Sequence, residues 1–454
     1  MATSKQPPPP APSRGHRRVL SDGGAAMSKE NAAKISSRID EELKREDERN
    51  KKARRNEVRV LLLGQADSGK STLQKHFQLM YASKSLDTER VSWAAIVYTN
   101  LIKAIRIIFA ELEYETSLST PEEPLSSRKM QQEIAKLRMR LLPLVALENT
   151  LASELSGGTT VVGSRNEACV RSGWQSLIAP KWALHGSTSS KGSLDFNNAR
   201  ETTTLVARML ATTVDDIDAL WTHDAVTFYV KHNRIRLEES AAYFFRHIQR
   251  IAEPEYIPTN DDILHVRLRT LGVMQHSFTV KMPGTGLTYD WRVFDVGGAR
   301  GQRHAWAPFF QDATAIIFLA PLSAFNQFLE EDPKTNRIDD SLQLFGSICA
   351  NKLLADANLV LLLNKMDVLR EKLSAGVQIR KYITSFGERP NNFETAASYF
   401  RAHFMATHRK KDVNPRRHLF IHFTSMLDIK ATQSIIQTVG EAIIRSHLVE
   451  LHRV

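Results

Sequence analysis

Gly64-Gln65-Ala66-Asp67-Ser68-Gly69-Lys70-Ser71-Thr72 follows an apolar run, Val58 to Leu63, and leads into a helix-compatible stretch, Thr72 to Met80. The spacing is G-x-x-x-x-G-K-S. A strand, a glycine-bounded loop and a helix start make a phosphate cradle. Backbone N–H groups of the loop and of the helix N-terminus point at phosphate oxygens. In that reading Gly64, Asp67, Ser68, Gly69 and Thr72 surround the phosphates. Lys70 reaches the β- and γ-phosphates, and the Ser71 hydroxyl binds Mg²⁺. The motif specifies a nucleoside triphosphate, and the rest of the chain must say which.

At 454 residues the chain has room for two or three domains. Its 42% hydrophobic and 24% charged content is that of a soluble globular protein. The sequence is expected to hold no membrane span and no secretory signal. Two cysteines, Cys169 and Cys349, exclude a disulfide framework or a cysteine zinc site, which suits a reducing, cytosolic setting. The net charge of +11 is scattered. Its clearest runs, Lys51-Lys52-Ala53-Arg54-Arg55 and Arg409-Lys410-Lys411, lack interleaved aromatics, which argues against a nucleic-acid groove and for solvated basic faces.

Residues 1–28, with the Pro7–Pro10 run, are expected to be a disordered extension. Without a glycine after the initiator or a nearby cysteine, the segment offers no acceptor for myristate or palmitate. Residues 29–56 are charged, with Ile35, Ile39 and Leu43 as a narrow stripe: a solvated helix, or one that binds a partner. Apolar runs then recur as buried strands at Val58–Leu63, Val293–Phe294, Ala315–Leu319, Leu359–Leu363 and Leu419–Phe423. Gln275–Lys281 and Tyr289–Phe294 flank a turn at Pro283–Gly286 and predict a hairpin. The fold class is therefore α/β: a mostly parallel sheet with one antiparallel edge, covered by helices. Residues 57–84 and 263–454 supply this domain. Residues 85–262 hold helical patterning, best at Trp93–Glu113 and Leu237–Ile251, and predict an inserted all-α domain. Within it, 156–200 is rich in Gly, Ser, Thr and Asn and is expected to be a flexible insertion.

Three further stretches carry chemistry. In Asp295-Val296-Gly297-Gly298 a carboxylate at a strand end can hold Mg²⁺ through water, and Gly298 lets its amide approach a γ-phosphate. In Asn364-Lys365-Met366-Asp367 the Asp367 carboxylate matches the guanine N1–H and exocyclic amine, a donor pair that adenine lacks. Asn364 reaches the base or braces neighbouring loops, and the Lys365 stem covers the base face. In Leu264-His265-Val266-Arg267-Leu268-Arg269-Thr270, Thr270 offers a hydroxyl to Mg²⁺, and Arg267 a cation against charge developing between the β- and γ-phosphates.

Taken in order, these segments resemble a heterotrimeric G protein α subunit, over most of residues 29–454. Tyr256-Ile257-Pro258-Thr259, Asn336-Arg337 and Thr424-Ser425-Met426-Leu427-Asp428 share the likeness, the last being similar to the family's final guanine loop. The resemblance implies a Ras-like P-loop GTPase domain carrying a helical domain, and a GTP/GDP switch with Mg²⁺. It assigns Arg267 the catalytic role of an arginine supplied in cis. Ser71, Thr270 and Asp295 become the metal residues. Glu239, Ser240, Leu264 and the Met426 N–H join the nucleotide contacts. It also implies a βγ dimer bound through the N-terminal helix and the Gly298–Trp306 region, and a seven-helix receptor that promotes GDP release. The effector and the GTPase-activating protein stay unspecified. Membrane contact would be peripheral, at the inner face of the plasma membrane, through lipidated partners and the Lys51–Arg55 patch.

The departures matter. The family places a water-orienting glutamine after Gly298; here it is Ala299, which predicts a slow intrinsic GTPase, with Gln302 expected to point elsewhere. Ala66 and Asp67 stand where the family has glycine and glutamate, and the Ala66 methyl is expected to crowd the γ-phosphate and water site. His265 replaces an arginine, Ser425 and Met426 replace Cys and Ala, and Arg453 alters the apolar tip of a C-terminal helix striped by Ile436, Val439 and Ile443. A GTP-binding scaffold that does not hydrolyse, and an ATP-using P-loop enzyme, are the alternatives; Asn364–Asp367 argues against the second.

Overall fold

The computed structural model describes residues 57–118, 120, 123–156, 169–170, 174, 193–232, 234–270, 272–281 and 286–451. Residues 1–56 form a separate unit in which only Arg38, Glu41, Lys44 and Arg45 are described, each helical and exposed. The expected disordered extension, the stripe Ile35, Ile39 and Leu43, the basic run 51–55, the hairpin turn at 282–285, Arg453 and most of the insertion lie outside the described residues.

The strands are β1 (Glu57–Gly64), β2 (Cys169–Val170), β3 (Arg269–Thr270), β4 (Val273–Lys281), β5 (Thr288–Val296), β6 (Ala315–Pro321), β7 (Asn358–Asn364) and β8 (Leu419–Phe423). Six of them form one sheet in the order β4-β5-β1-β6-β7-β8, all parallel except β4, which lies antiparallel on β5. Strands β6 and β7 and the second half of β1 are apolar and buried because both sheet faces are covered there, whereas β5 alternates, with Thr288 and Asp290 exposed. Alternate residues serve opposite cores: Leu61, Leu63, Phe318 and Leu361 on one face, Val60, Leu62, Ile317 and Val360 on the other. Register places the functional ends together, with Leu62 beside Asp295, Gly64 beside Leu319, and Pro321 beside Asn364. Strand β8 corrects the expectation of a fully buried run: it is the sheet edge, half-buried, with Phe423 40% exposed.

Helices α1 (Lys70–Tyr81), α2 (Ser83–Glu89), α3 (Trp93–Leu118), α4 (Arg128–Ala146), α5 (Glu148–Ser156), α6 (Ser193–Thr222), α7 (Asp224–Lys231), α8 (Ala241–Arg246), α9 (Ile248–Ile251) and α10 (Asn260–His265) precede β3; α11 (Arg337–Cys349), α12 (Met366–Ser374), α13 (Phe393–Lys411) and α14 (Ile429–Leu451) accompany the sheet. A separate apolar core runs from Leu86 to Val266, with α3 central to it. By length and composition the continuous helical stretch Ser83–Leu118, from α2 through α3, could cross a membrane, contrary to the expectation that no segment would qualify. Most of its apolar window is buried inside the protein, as in the core helix of a soluble domain.

Two other expectations change. Residues 237–251 are not one helix, because 237–238 are irregular, 239–240 form a turn, and α8 and α9 part at His247. This stretch sends the Glu238 and Glu239 carboxylates to Lys103 and Lys365. The expected flexible insertion also overlaps ordered structure: α6 begins at Ser193, Trp174 is buried edge-on against Trp93, and β2 pairs with β3 through Cys169–Arg269 and Val170–Thr270.

Candidate functional site

Strand β1 ends at Gly64 and α1 starts at Lys70, and the loop between them turns on two glycines at positive φ, Gly64 and Gly69. A Cβ on Gly64 would stand 2.4 Å from Leu319 O, and one on Gly69 2.3 Å from Asn364 Nδ2. Asp67, at φ 58°, accepts a left-handed backbone that side chains rarely adopt. Its carboxylate lies 3.0 Å from Lys365 Nζ, 3.6 Å from Arg337 and 4.0 Å from Arg267. Burial alone would raise its pKa; the three cations outweigh this and hold it far below the usual carboxylate range. Lys70 Nζ donates to Gly64 O at 3.0 Å and Gln65 O at 2.6 Å, and burial pushes the ammonium down to about 8, with Asp295 opposing. Ser71 Oγ donates to Asp295 Oδ2 at 2.6 Å. Ala66, Asp67, Lys70, Ser71, Thr72, Arg267, Gly298 and Ala299 line one cleft.

On the far side of the loop, Asn364 is a brace. Its Nδ2 donates to Ser68 O at 2.8 Å, and its Oδ1 accepts from Thr424 Oγ1 at 3.1 Å. Lys365, at φ 63°, pairs with Asp67 and with Glu239 at 2.9 Å. The Asp367 backbone N–H donates to Ser425 Oγ at 3.1 Å, and its side chain is exposed at the start of α12. Met426 is buried, and its carbonyl lies 2.6 Å from His76 Nε2 on α1. Burial lowers the pKa of His76, so a neutral ring donating from Nε2 fits this contact.

The segment bearing Arg267 is held from three sides. A capping box, Thr259 with Asp262, starts α10. At its other end Lys75 Nζ donates to Ile263 O at 2.7 Å and Val266 O at 2.9 Å, and burial pushes this ammonium down to about 7. The Asn100 side chain accepts from Arg267 N–H at 2.7 Å and donates to Arg267 O at 3.0 Å. The Arg267 guanidinium sits 3.6 Å from Glu238 Oε2, and Glu238 is itself paired with Lys103. Leu264 is buried on α10, while Val266, Arg267 and Leu268 line the cleft. Ser240 precedes α8 without a side-chain cap. Thr270 ends β3, and its side chain lies outside the described atoms.

Strand β5 delivers Asp295, and the chain after it packs onto the phosphate loop. A Cβ on Gly298 would meet Ala66 N at 2.4 Å, so only glycine lets these backbones touch. Ala299 follows in extended conformation. Gln302 lies in the next turn, and its N–H donates to Ala299 O at 3.0 Å. Arg303 donates to Gly298 O at 3.3 Å and to Asp340 at 2.6 Å. Buried Asp340 also accepts from Arg300 and from Gln65, tying the Ala299–Trp306 segment to the loop. Burial would raise its carboxyl; these bonds, Arg303 first, lower it. Sequence reasoning missed Asn100, Lys103, Glu238, Lys75, His76 and Asp340. A polar residue inside an apolar helix stripe, as with Asn100 and Lys103 in Trp93–Glu113, was the available signal.

Ser71 and Asp295 bring a hydroxyl and a carboxylate oxygen to the same point, the hard donors Mg²⁺ takes when phosphate oxygens and waters complete its octahedron. Among the described residues no cluster of three or more His, Cys, Asp or Glu forms a metal cage, and Mg²⁺ at phosphates needs none. The site therefore fits the ion. Against known proteins, the family profile described as G-protein alpha subunit matches residues 33–443. The guanine nucleotide-binding protein alpha-4 subunit of Mycosarcoma maydis is 30% identical over 485 aligned positions, covering 86% of this chain and 82% of that protein.

Proposed function

The chain belongs to the G protein α-subunit family, whose members are guanine-nucleotide-binding transducers and GTPases, and from that premise we propose that it is a GTP/GDP switch with slow intrinsic hydrolysis. The observation that carries the slow step is Ala299. It lines the cleft directly after Gly298, where a methyl group cannot orient water.

The remaining machinery supports the switch. Lys70 and the loop N–H groups hold phosphates, and Ser71 and Asp295, with Thr270, are the residues that would hold Mg²⁺. The ion supplies charge neutralisation at the phosphate oxygens. Arg267 faces the same cleft and places its charge beside the transferring phosphoryl. Asp367 selects guanine, Lys365 covers the base, and the Met426 N–H and Asn364 shape its loop. The 299–306 segment, tied to the loop through Asp340, is the element that responds to the γ-phosphate. The proposed partners are a βγ dimer and a seven-helix receptor, with peripheral attachment at the cytoplasmic face of the plasma membrane.

Single-turnover GTP hydrolysis with Mg²⁺, beside Ala299→Gln, tests the reading. The variant is expected to be faster by on the order of tenfold or more, the scale of one well-placed polar group. Equal rates would assign water positioning to another group. Binding without hydrolysis in both proteins would favour the scaffold reading, which Ala299 also supports. An excess of ATP is expected to leave GTP binding intact.

A further inference from the structure

We infer that Asn100, with the Lys103–Glu238 pair, is the holder that positions Arg267 for phosphoryl transfer. The inference rests on the role of Arg267 proposed above and names the residues that make the role possible.

The geometry is specific. A carboxamide presents one acceptor and one donor, and Asn100 spends both on a single residue, the N–H and the C=O of Arg267. This fixes the peptide planes on both sides of the Arg267 Cα. Lys75, reaching from the phosphate-loop helix, holds the preceding carbonyl of Val266. The Arg267 backbone is therefore registered to α1, which begins at the phosphate loop, and to α3 of the helical core. Three residues beyond Asn100 on α3, on the same helix face, Lys103 grips Glu238. The other oxygen of Glu238 faces the Arg267 guanidinium at 3.6 Å. Lys103 is nearly buried and Glu238 partly so, so the pair is better shielded from water than a surface ion pair. One face of α3 thus holds Arg267 at two points, directly at its backbone and through Glu238 at its charge. Asn100, Lys103 and Glu238 act through Arg267; they are positioning residues.

The test is single-turnover hydrolysis by protein preloaded with GTP, started with Mg²⁺. It compares wild type, Asn100→Ala and Lys103→Met, each also with Arg267→Ala, alongside thermal unfolding and the Kd for a non-hydrolysable GTP analogue. Asn100→Ala is expected to slow hydrolysis by about 10- to 100-fold, as small misplacements of a catalytic group do. Lys103→Met should slow it less, and neither should slow it further once Arg267 is alanine. Analogue affinity should change far less than the rate. Equal slowing with and without Arg267, or slowing matched by lost analogue binding, overturns the inference. Should Asn100→Ala not fold, Asn100→Asp keeps an acceptor for the Arg267 N–H but sets a charged carboxylate oxygen against the Arg267 carbonyl in place of the donor, so slowed hydrolysis is again expected; an unchanged rate overturns the inference. If Arg267→Ala itself matches wild type, or wild type does not hydrolyse GTP, the proposed role of Arg267 fails and this inference with it. If Arg267→Ala is slow while Asn100→Ala and Lys103→Met are not, only the positioning fails.

Discussion

Asn364 shows how one buried amide joins three loops. It is 2% exposed and spends its donor on Ser68 O and its acceptor on Thr424 Oγ1, so the phosphate loop and the loop beginning at Thr424 share one side chain. Removing it leaves buried polar groups without partners, which costs about 1–3 kcal/mol. Asn364→Ala is therefore expected to lower the affinity for GTP and GDP by similar factors, and to lower the melting temperature. Asp367 sits three residues later, exposed. Asp367→Ala should leave melting unchanged while weakening guanine nucleotides selectively against adenine nucleotides. Competition titrations of both variants with GTP, GDP and ATP check the pair. A preferential loss of GTP over GDP in Asn364→Ala would mean that the amide senses the γ-phosphate instead of bracing the loops. The sequence left base contact and brace open for Asn364, because the choice depends on where Ser68, 296 positions away, is folded.

At the scale of elements, α10 is six residues long, too short to be stable by its own backbone bonds. Its ends are held by other parts of the chain. The Thr259–Asp262 capping box closes the N-terminus, Lys75 takes C-terminal carbonyls, and Arg250 forks onto the Asp262 carboxylate with two 2.7 Å bonds. Burial would raise the Asp262 carboxyl; Arg250, the Thr259 N–H and Tyr243 outweigh it and hold it well below the carboxylate range. Its folded pKa is thus below the unfolded value of about 3.9, so the stabilisation is fully present above that pH and is lost as pH falls through the folded pKa. Acid unfolding should steepen below about pH 4 and flatten in Asp262→Asn. At neutral pH that variant should lose about 3 kcal/mol, the scale of breaking a buried pair. Urea unfolding across pH 2.5–7 measures both, and parallel pH profiles for the two proteins would remove Asp262 from the account. Elements with local signatures were legible: β1 with its glycine loop, the β4–β5 hairpin, β7 before Asn364. The break at His247 and the β2–β3 pairing were not; the latter joins residues 100 positions apart, Cys169 to Arg269 and Val170 to Thr270.

Across the molecule, the helical core and the sheet face each other over a cleft spanned by charge. Asp67 and Lys365 belong to the sheet side. Glu238 and Glu239 come from the stretch before α8, and Arg267 lies on the segment joining the two parts. The motifs that define the cleft were readable because each is a short stretch at a strand end, where periodicity and glycine spacing act locally. The charges that close it were not, because ion pairing between residues 126 positions apart, as in Glu239 and Lys365, leaves no periodic trace. The Lys365–Glu239 pair joins the two walls of the cleft, so it should act on nucleotide release more than on folding. Glu239 is 41% exposed, and a pair of this kind is worth about 0.2–1 kcal/mol, less in high salt. Glu239→Gln is accordingly expected to speed GDP release by about two- to fivefold, with the gap narrowing as salt rises and the melting temperature nearly unchanged. Displacement of a fluorescent GDP analogue at two ionic strengths measures this. Identical release rates at low salt would show that the Lys365–Glu239 pair forms without restraining release.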